Sequence, residues 1–534
     1  MKSSSELRMT RAAVSRRRLL SRLAAATSVA LMAPVLSTRH PALAQTPVAT
    51  PSSALPGTLA ADASPEFRAV AEALQAAMTA TGTPGAAIGI LADGREEHAA
   101  FGVTSIDGGD PVTLDTLFQI GSITKPFTGT AVMRLVEAGE IDLEATVRTY
   151  LPDLRLEDET VAERVTVRHL LTHTGGWWGD LFADTGSGDD AIERYVAEWF
   201  PELPQFSPLG KYFSYNNAGF VLLGRILEVV TGQEYRAAMR ELVLDPLGMS
   251  NSFFAPDEVL ARPHAQGHFS EEGEAPRVQE PLFIPRSSDP AGGLWATTPE
   301  LLRFARFHLG DGTVDGEQIL SPDTLAMMQT PQQSILGDPT SAMGLPWFII
   351  DLPGQRLVTH DGGTFGQGAQ LFLAPDRDFA VAMIGNALPA AAVAAQEALA
   401  AVLNQYFGVD LAAAQESAAM ATPLASPVAS PPAVVSPDAL DQYAGQYATP
   451  DATYRLTVVD GALVLSYELH PHPAQVQPKY VVDVPPEVPI QFVAPDLALV
   501  TIAGLPLPLV FVRDDDGEVG WVAASLRLVP KVAE

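Results

Sequence analysis

Two stretches of this chain are too poor in apolar bulk to form a core, and their positions divide everything else. Residues 45–63 (QTPVATPSSALPGTLAADA) and residues 411–437, which include ATPLASPVASPPAVVSP, are rich in Pro, Ala, Ser and Thr. Such segments bury too little to offset the entropy of ordering them, so they read as linkers. They bracket a body at residues 64–410 and leave a tail at 438–534. The body is long enough for a substantial core, and the tail is the size of one small domain. Composition agrees, since 47% of the 534 residues are hydrophobic and 18% charged, a globular balance.

Within the body, apolar spacing predicts a helix over Pro65 to Thr81, then two strands from Ala86 to Val103 joined at Asp93-Gly94. Near the far end, Gly368 to Leu373 and Phe379 to Ile384 form a second strand pair around Pro375 to Asp378. Between them, Val132 to Leu309 is mostly helical in pattern, as in Gly219 to Thr231 and Thr298 to His308. The strands at both ends are therefore expected to meet in one mainly antiparallel sheet around a helical middle, an α+β fold. The tail instead alternates over short strands, Tyr454 to Val459 and Leu463 to Tyr467 across Asp460-Gly461, then Leu509 to Arg513 before Asp516-Gly517. It reads as a small all-β domain.

Residues 1–44 differ from both. Ser15-Arg16-Arg17-Arg18-Leu19-Leu20 precedes a weakly apolar run from Leu23 to Leu36, and Ala42-Leu43-Ala44 offers small residues for cleavage. The pattern resembles a twin-arginine export signal, which places the mature protein outside the cytoplasm, periplasmic or extracellular. The run is too short for a spanning helix and is broken by Pro34, so no stable membrane span is expected once the signal is removed. With a formal charge of −30, the chain repels nucleic acid and anionic membranes. The complete lack of cysteine excludes thiol nucleophiles, disulfides and cysteine-type zinc sites.

The chemistry is concentrated in three short phrases. In Phe118-Gln119-Ile120-Gly121-Ser122-Ile123-Thr124-Lys125-Pro126-Phe127, a serine stands three residues before a lysine, which on one helix puts both side chains on one face. Burial among the surrounding apolar residues would lower the lysine pKa and let its amine take the serine proton. The plain alternative is Ser122 as a helix cap with Lys125 solvated in the first turn, although lysine is a poor electrostatic choice at the positive end of a helix. In Phe213-Ser214-Tyr215-Asn216-Asn217-Ala218-Gly219, a polar loop runs into an apolar helix; Tyr215 can exchange a proton with its surroundings, and Asn217 can donate to a substrate carbonyl. In His360-Asp361-Gly362-Gly363-Thr364 a strand is expected to begin, with glycines that let a substrate approach the backbone.

Ser-x-x-Lys, Tyr-x-Asn and His-x-Gly, in that order, resemble the three motifs of the class C β-lactamase and DD-peptidase family of penicillin-recognising serine hydrolases. The resemblance spans residues 64 to about 408 and takes in Arg168 to Gly176 (RHLLTHTGG), Pro246 to Met249 and Ala291 to Trp295. It implies a β-lactamase/transpeptidase-like fold: a mainly antiparallel sheet flanked by helices, plus an all-helical region. It also implies that Ser122 forms an acyl-enzyme, with Lys125 and Tyr215 sharing proton traffic, Asn217 orienting the substrate and His360 completing the site. The backbone amides of Ser122 and Gly363 would form the oxyanion hole, and Gly362 and Thr364 would line the substrate. No metal or other cofactor is implied, and the expected partner is a small-molecule or peptide substrate. Many β-lactamases carry Lys-Thr-Gly in the third motif; here His360 replaces that lysine, which weakens the grip on a substrate carboxylate and favours ester or D-amino-acid peptide cleavage over β-lactam hydrolysis. Tyr443-Ala444-Gly445-Gln446-Tyr447 opens a tail that resembles the lipocalin-like β domains found after this family's catalytic domain.

Other readings carry less. His169 and His173 sit four apart but lack the glutamate of the zinc-protease motif, and His173 precedes Thr174-Gly175-Gly176 as a helix C-terminus would. His264 and His268 have no better company. No Gly-x-Ser-x-Gly occurs, which removes the α/β-hydrolase class. Trp177 and Trp178 follow the His173 turn and read first as packing, second as a wall of the cleft. A catalytically silent binder of cell-wall or peptide ligands would keep the same cleft, but all three motifs are intact.

Overall fold

The computed structural model describes residues 57–270, 274–352, 355–409, 435–481, 486–502 and 505–533. The export-signal segment, most of the first linker and most of the second lie outside the described residues.

A nine-stranded sheet, antiparallel throughout, forms the floor of the body. Its strands are β1 (Gly57–Leu59), β2 (Gly85–Ala92), β3 (Arg95–Gly102), β4 (Gln333–Ile335), β5 (Asp338–Met343), β6 (Phe348–Leu352), β7 (Gln355–Gly363), β8 (Gly368–Ala374) and β9 (Phe379–Gly385). They lie in the order β1-β3-β2-β9-β8-β7-β6-β5-β4, so the two sequence-distant hairpins join where β2 pairs with β9. Because successive strand residues face opposite sides, each central strand feeds two cores. Ala87 and Leu91 of β2 face the helical region, whereas Ile88 and Ile90 face the helices α1 (Pro65–Thr81) and α5 (Ala390–Phe407). Ser64 caps α1 by accepting from the Phe67 amide, and Gly82 ends it in the left-handed conformation. The alanines of α5 let it lie close against α1 over the sheet.

Two expectations are corrected here. Gly57–Leu59 falls in the segment read as linker, yet it pairs with Ala99 to Phe101 along the edge of β3. Edge pairing needs only backbone groups and no apolar bulk, so composition could not reveal it. The strand expected to begin at His360 instead begins at Gln355 and is nearly finished when His360 is reached. The glycines after His360 mark the strand's end, and its start is set by pairing of Gln355 to Thr359 with β6.

The other face of the sheet carries the helical region, including α2 (Thr124–Glu137), α3 (Asn217–Thr231) and α4 (Thr298–Leu309). Phe127 of α2 stacks on Phe304 of α4 with ring centroids 3.7 Å apart, both fully buried. No helix among the described residues is long and apolar enough to cross a membrane.

The tail is a second nine-stranded antiparallel sheet, from Gly445–Ala448 to Arg527–Val532. Its outermost members, Val488–Pro489 and Gln491–Ala494, flank Ile490, so the sheet curls until its two edges meet in the chain. Tyr447, Leu456, Leu465, Phe511 and Val529 belong to the buried apolar cluster that lines its interior. This all-β domain docks on the body through specific bonds: Trp521 Nε1 donates to the Phe206 carbonyl at 2.7 Å and Tyr212 Oη to the Arg513 carbonyl at 3.0 Å.

Removing the Phe304 ring should destabilise the body by about 3–5 kcal/mol, the usual cost of deleting a buried aromatic. The denaturation midpoint of Phe304→Ala measures it, and a loss under about 1 kcal/mol would mean that the stack contributes little to the core.

Candidate active site

Gly121 makes the turn on which Ser122 stands. Its φ is +54°, a left-handed conformation, and an added Cβ would come within 2.6 Å of the Gly363 amide. The chain then takes one 3₁₀ turn, Gly121–Ile123, and enters α2 at Thr124, with Pro126 in the first turn where its missing N–H costs nothing. Ser122 does not cap this helix: the cap position is Ile123, without a side-chain bond. Lys125 is not solvated either, being wholly buried.

Three atoms surround the Lys125 amine. Nζ lies 2.7 Å from Asn217 Oδ1, 2.7 Å from the Ala291 carbonyl and 3.2 Å from Ser122 Oγ. The first two can only accept, so they take two N–H groups. Burial, then the charge of Arg527, hold the Lys125 pKa well below its ordinary value, with Asp180 opposing. A neutral amine with two hydrogens committed has one lone pair left, and Ser122 Oγ is the remaining neighbour.

Tyr215 sits in the loop before α3. Asn216 caps that helix by accepting from the Gly219 amide at 2.7 Å, and its Nδ2 donates to the Trp177 carbonyl at 2.7 Å. His173, at φ +55°, holds the residues on both sides of Tyr215: its carbonyl accepts from the Ser214 amide and its Nδ1 from the Asn216 amide, each at 2.9 Å. Its ring also stacks on that of Tyr215, with centroids 4.4 Å apart. Burial raises the Tyr215 pKa above that of a free phenol, against the pull of a hydrogen bond with Ser122 and the charge of Arg527. The phenol therefore keeps its proton at neutral pH.

From β7, His360 reaches the same space, its ring 6.3 Å from that of Tyr215. Its Nδ1 lies 2.7 Å from the Asp361 carbonyl, which can only accept, so the proton belongs on Nδ1. Burial and then Lys125 press the His360 pKa down to about 3. The ring is thus neutral, with an unpartnered, buried Nε2 lone pair. His173 is its complement, because Nδ1 accepts and the proton must sit on a buried Nε2 that also lacks a partner among the described residues.

The end of β7 closes against the Ser122 turn. A Cβ on Gly362 would fall 1.9 Å from the Ile120 carbonyl oxygen and 2.9 Å from the Ser122 amide nitrogen, so only glycine fits. Gly363 follows with its amide beside Gly121, and the Thr364 amide donates to the Gln367 carbonyl at 2.9 Å. Ser122, Lys125, Tyr215, Asn217, His360, Gly362 and Gly363 are thus brought together, as the motif order implied. Asn217 is more committed than expected: Oδ1 holds Lys125 and Nδ2 donates to Asp180 Oδ1 at 2.6 Å, leaving one Nδ2 hydrogen for a substrate.

Two further residues escaped the sequence reading. Asp180, buried behind Asn217, forms an ion pair with Arg527 of the β domain, at 2.6 Å from Nε and 3.2 Å from Nη2. The same hairpin tip delivers the Leu526 carbonyl to the Tyr215 amide at 2.9 Å, and the Leu528 amide donates to Ser214 Oγ at 3.1 Å. Ser525 and Leu526, both at positive φ, form that tip without a glycine, a strained arrangement that the docking must sustain. Trp177 and Trp178 are buried, and both border a cavity between the body and the β domain. His169 and His173 face different partners, Thr166 and Asn216, and no group of three or more metal-binding side chains occurs among the described residues.

The family model described as Beta-lactamase matches residues 70–406. Penicillin-binding protein 4 of Amycolatopsis lactamdurans is 37% identical over 322 residues, which cover 59% of this chain and 84% of that protein. Among solved structures, that of SurE with D-Leu is 26% identical with a TM-score of 0.64, covering 88% of this chain and 99% of that one. A class C β-lactamase from Rhodobacter sphaeroides shares the fold at 23% identity and a TM-score of 0.51, covering 63% of this chain and 99% of that one.

On the sheet face opposite His360, Asp361 pairs in register with Gln370, and each has a buried acceptor oxygen without a partner. Burial raises the Asp361 pKa to about 8, so a protonated carboxyl can donate where a carboxylate could not. The native state then holds a proton that the unfolded chain, with a pKa of about 3.9, releases. Its stabilising contribution is complete below about pH 4 and is lost as pH rises through about 8. Asp361→Asn should remove this decline and raise the melting temperature relative to wild type at pH 9; equal pH dependence in the two proteins would refute it.

Proposed function

Because the chain belongs to the Beta-lactamase family, we propose that it is an exported serine hydrolase that cleaves carboxylic esters or D-amino-acid peptides through an acyl-Ser122 intermediate. The observation that carries this reading is the environment of the Lys125 amine, whose two acceptors leave its lone pair to Ser122 Oγ.

In the proposed cycle, Ser122 Oγ attacks the substrate carbonyl while its proton passes to Lys125 Nζ. The amides of Ser122 and Gly363 receive the developing oxyanion, each donor worth about 3–4 kcal/mol in such sites. Collapse of the tetrahedral intermediate breaks the ester or amide bond, and Tyr215 gives its proton to the leaving oxygen or nitrogen as it regains one from Lys125. Water then repeats the sequence on the acyl-enzyme, releasing the acid and restoring Ser122. Asn217 orients Lys125 and offers its spare hydrogen to the substrate; Gly362 and Thr364 line it.

A neutral His360 with its lone pair inward cannot anchor a carboxylate as a lysine would, which weighs against β-lactam hydrolysis as the main activity. Similarity to SurE, in its structure with D-Leu, over both the body and the β domain supports substrates that contain a D-amino acid. The Arg-rich start of the chain supports export.

Hydrolysis of p-nitrophenyl butyrate, a peptide ending in two D-amino acids and a chromogenic cephalosporin by wild type and Ser122→Ala tests the assignment. Ester or peptide turnover that disappears in the variant is expected, and dominant cephalosporin turnover would replace this reading with that of a β-lactamase. Lys125→Ala and Tyr215→Phe should each lower kcat by about 10²–10⁴-fold in a folded protein; near-normal rates in either would remove its role.

The charge of Arg527 disfavours protonation of Lys125 and that of Asp180 favours it. Arg527→Met should therefore raise the Lys125 pKa and move the ascending limb of the kcat/KM profile to higher pH. A limb that stays in place would disconnect Arg527 from the base.

A further inference from the structure

A cavity that is open to solvent lies between the body and the β domain. Its walls change character along the strands. At the catalytic end stand Tyr215, Asp180 and Arg527, with Tyr454 of the β domain beside them. Two residues further along the strand of Tyr454 comes Leu456, paired in register with Leu465. Two residues beyond Arg527 comes Val529, paired with Val522. All four apolar residues line the cavity and are otherwise buried.

Water against apolar walls gains little, so an apolar group that enters and covers them is favoured by the surface it removes from water. The candidate occupant is limited by what shares the walls. Tyr215, whose phenol meets Ser122, is a wall of this cavity, so one ring belongs both to the surroundings of the serine and to the space that leads toward Leu456. The polar groups lie where a polar scissile end would be, and the apolar ones lie where only a hydrocarbon gains from burial.

We propose that the β domain is the substrate's acyl pocket: its interior takes an unbranched apolar chain carried by the acyl part of the substrate, threaded past Tyr215. This deepens the acyl-serine reading and rests on it for the identity of the chain as substrate, whereas the pocket itself can be tested without turnover.

The fluorescent fatty acid cis-parinaric acid, titrated into full-length Ser122→Ala, should bind saturably at one site per chain. Adding Leu465→Trp, which fills the pocket, should weaken that binding at least tenfold; Val500→Phe, a smaller intrusion into the same wall, provides a second test if the tryptophan disturbs folding. Absent binding, or binding unaffected by a folded blocking variant, overturns the pocket whatever the enzyme's activity. With Ser122 intact, kcat/KM for p-nitrophenyl esters should rise from acetate to dodecanoate, and the blocking variants should erase the rise while leaving acetate hydrolysis unchanged. A flat chain-length profile in an active enzyme overturns the threading past Tyr215. Saturable fatty-acid binding with no ester turnover, by contrast, would count against the acyl-serine reading and leave the pocket standing.

Discussion

A single buried amine organises this molecule. Placing Lys125 away from water is unfavourable for its charged form, and nothing in contact with it carries a formal negative charge; its close neighbours are an amide oxygen, a carbonyl and a hydroxyl. Each of those neighbours comes from a different part of the fold. Ser122 arrives on the turn made by Gly121, Asn217 at the start of α3, and Ala291 from the short helix Asp289–Gly292. The sheet contributes through β7, whose Gly362 leaves room for the Ile120 carbonyl and so sets the distance between strand and turn.

The polar chain does not stop at the body. From Lys125 it runs through Asn217 to Asp180 and on to Arg527, so a charge on the β domain neutralises the carboxylate that holds the asparagine. Losing one partner of such a buried pair typically costs about 3–5 kcal/mol, because the other charge is left stranded. The β domain thereby bears on the electrostatics of Ser122 without touching it. Its hairpin also bonds to the Ser214 hydroxyl and the Tyr215 amide, which ties the position of the phenol to the docking of the domain.

Much of this was legible one element at a time. Helix α1 announces itself by its apolar spacing from Pro65 to Thr81, and the β2–β3 turn by Asp93-Gly94, both residues at positive φ. Ser-x-x-Lys, Tyr-x-Asn and His-x-Gly each have a plain use when taken alone, and only their ordered combination with its flanking phrases is specific. What stayed hidden depends on tertiary pairing. Gly57–Leu59 is a strand only because β3 offers an edge. Asp180 and Arg527 are 347 residues apart, and an arginine in an alternating strand looks like any solvent-facing charge. His173 was weighed as a metal ligand, yet it acts through its carbonyl, its Nδ1 and its ring face, none of which leaves a mark in spacing.

The tip formed by Ser525 and Leu526 also fixes an order of events in time. A ribosome makes Ser122 and Lys125 some 405 residues before Arg527, an interval on the order of 20–80 s at ~5–20 residues per second. Through that interval the body can assemble its sheet, but Asp180 has no cation to meet and Tyr215 no hairpin to lean on. Until then the charge pair that biases the proton affinity of Lys125 is incomplete, while the burial that lowers it most belongs to the body itself.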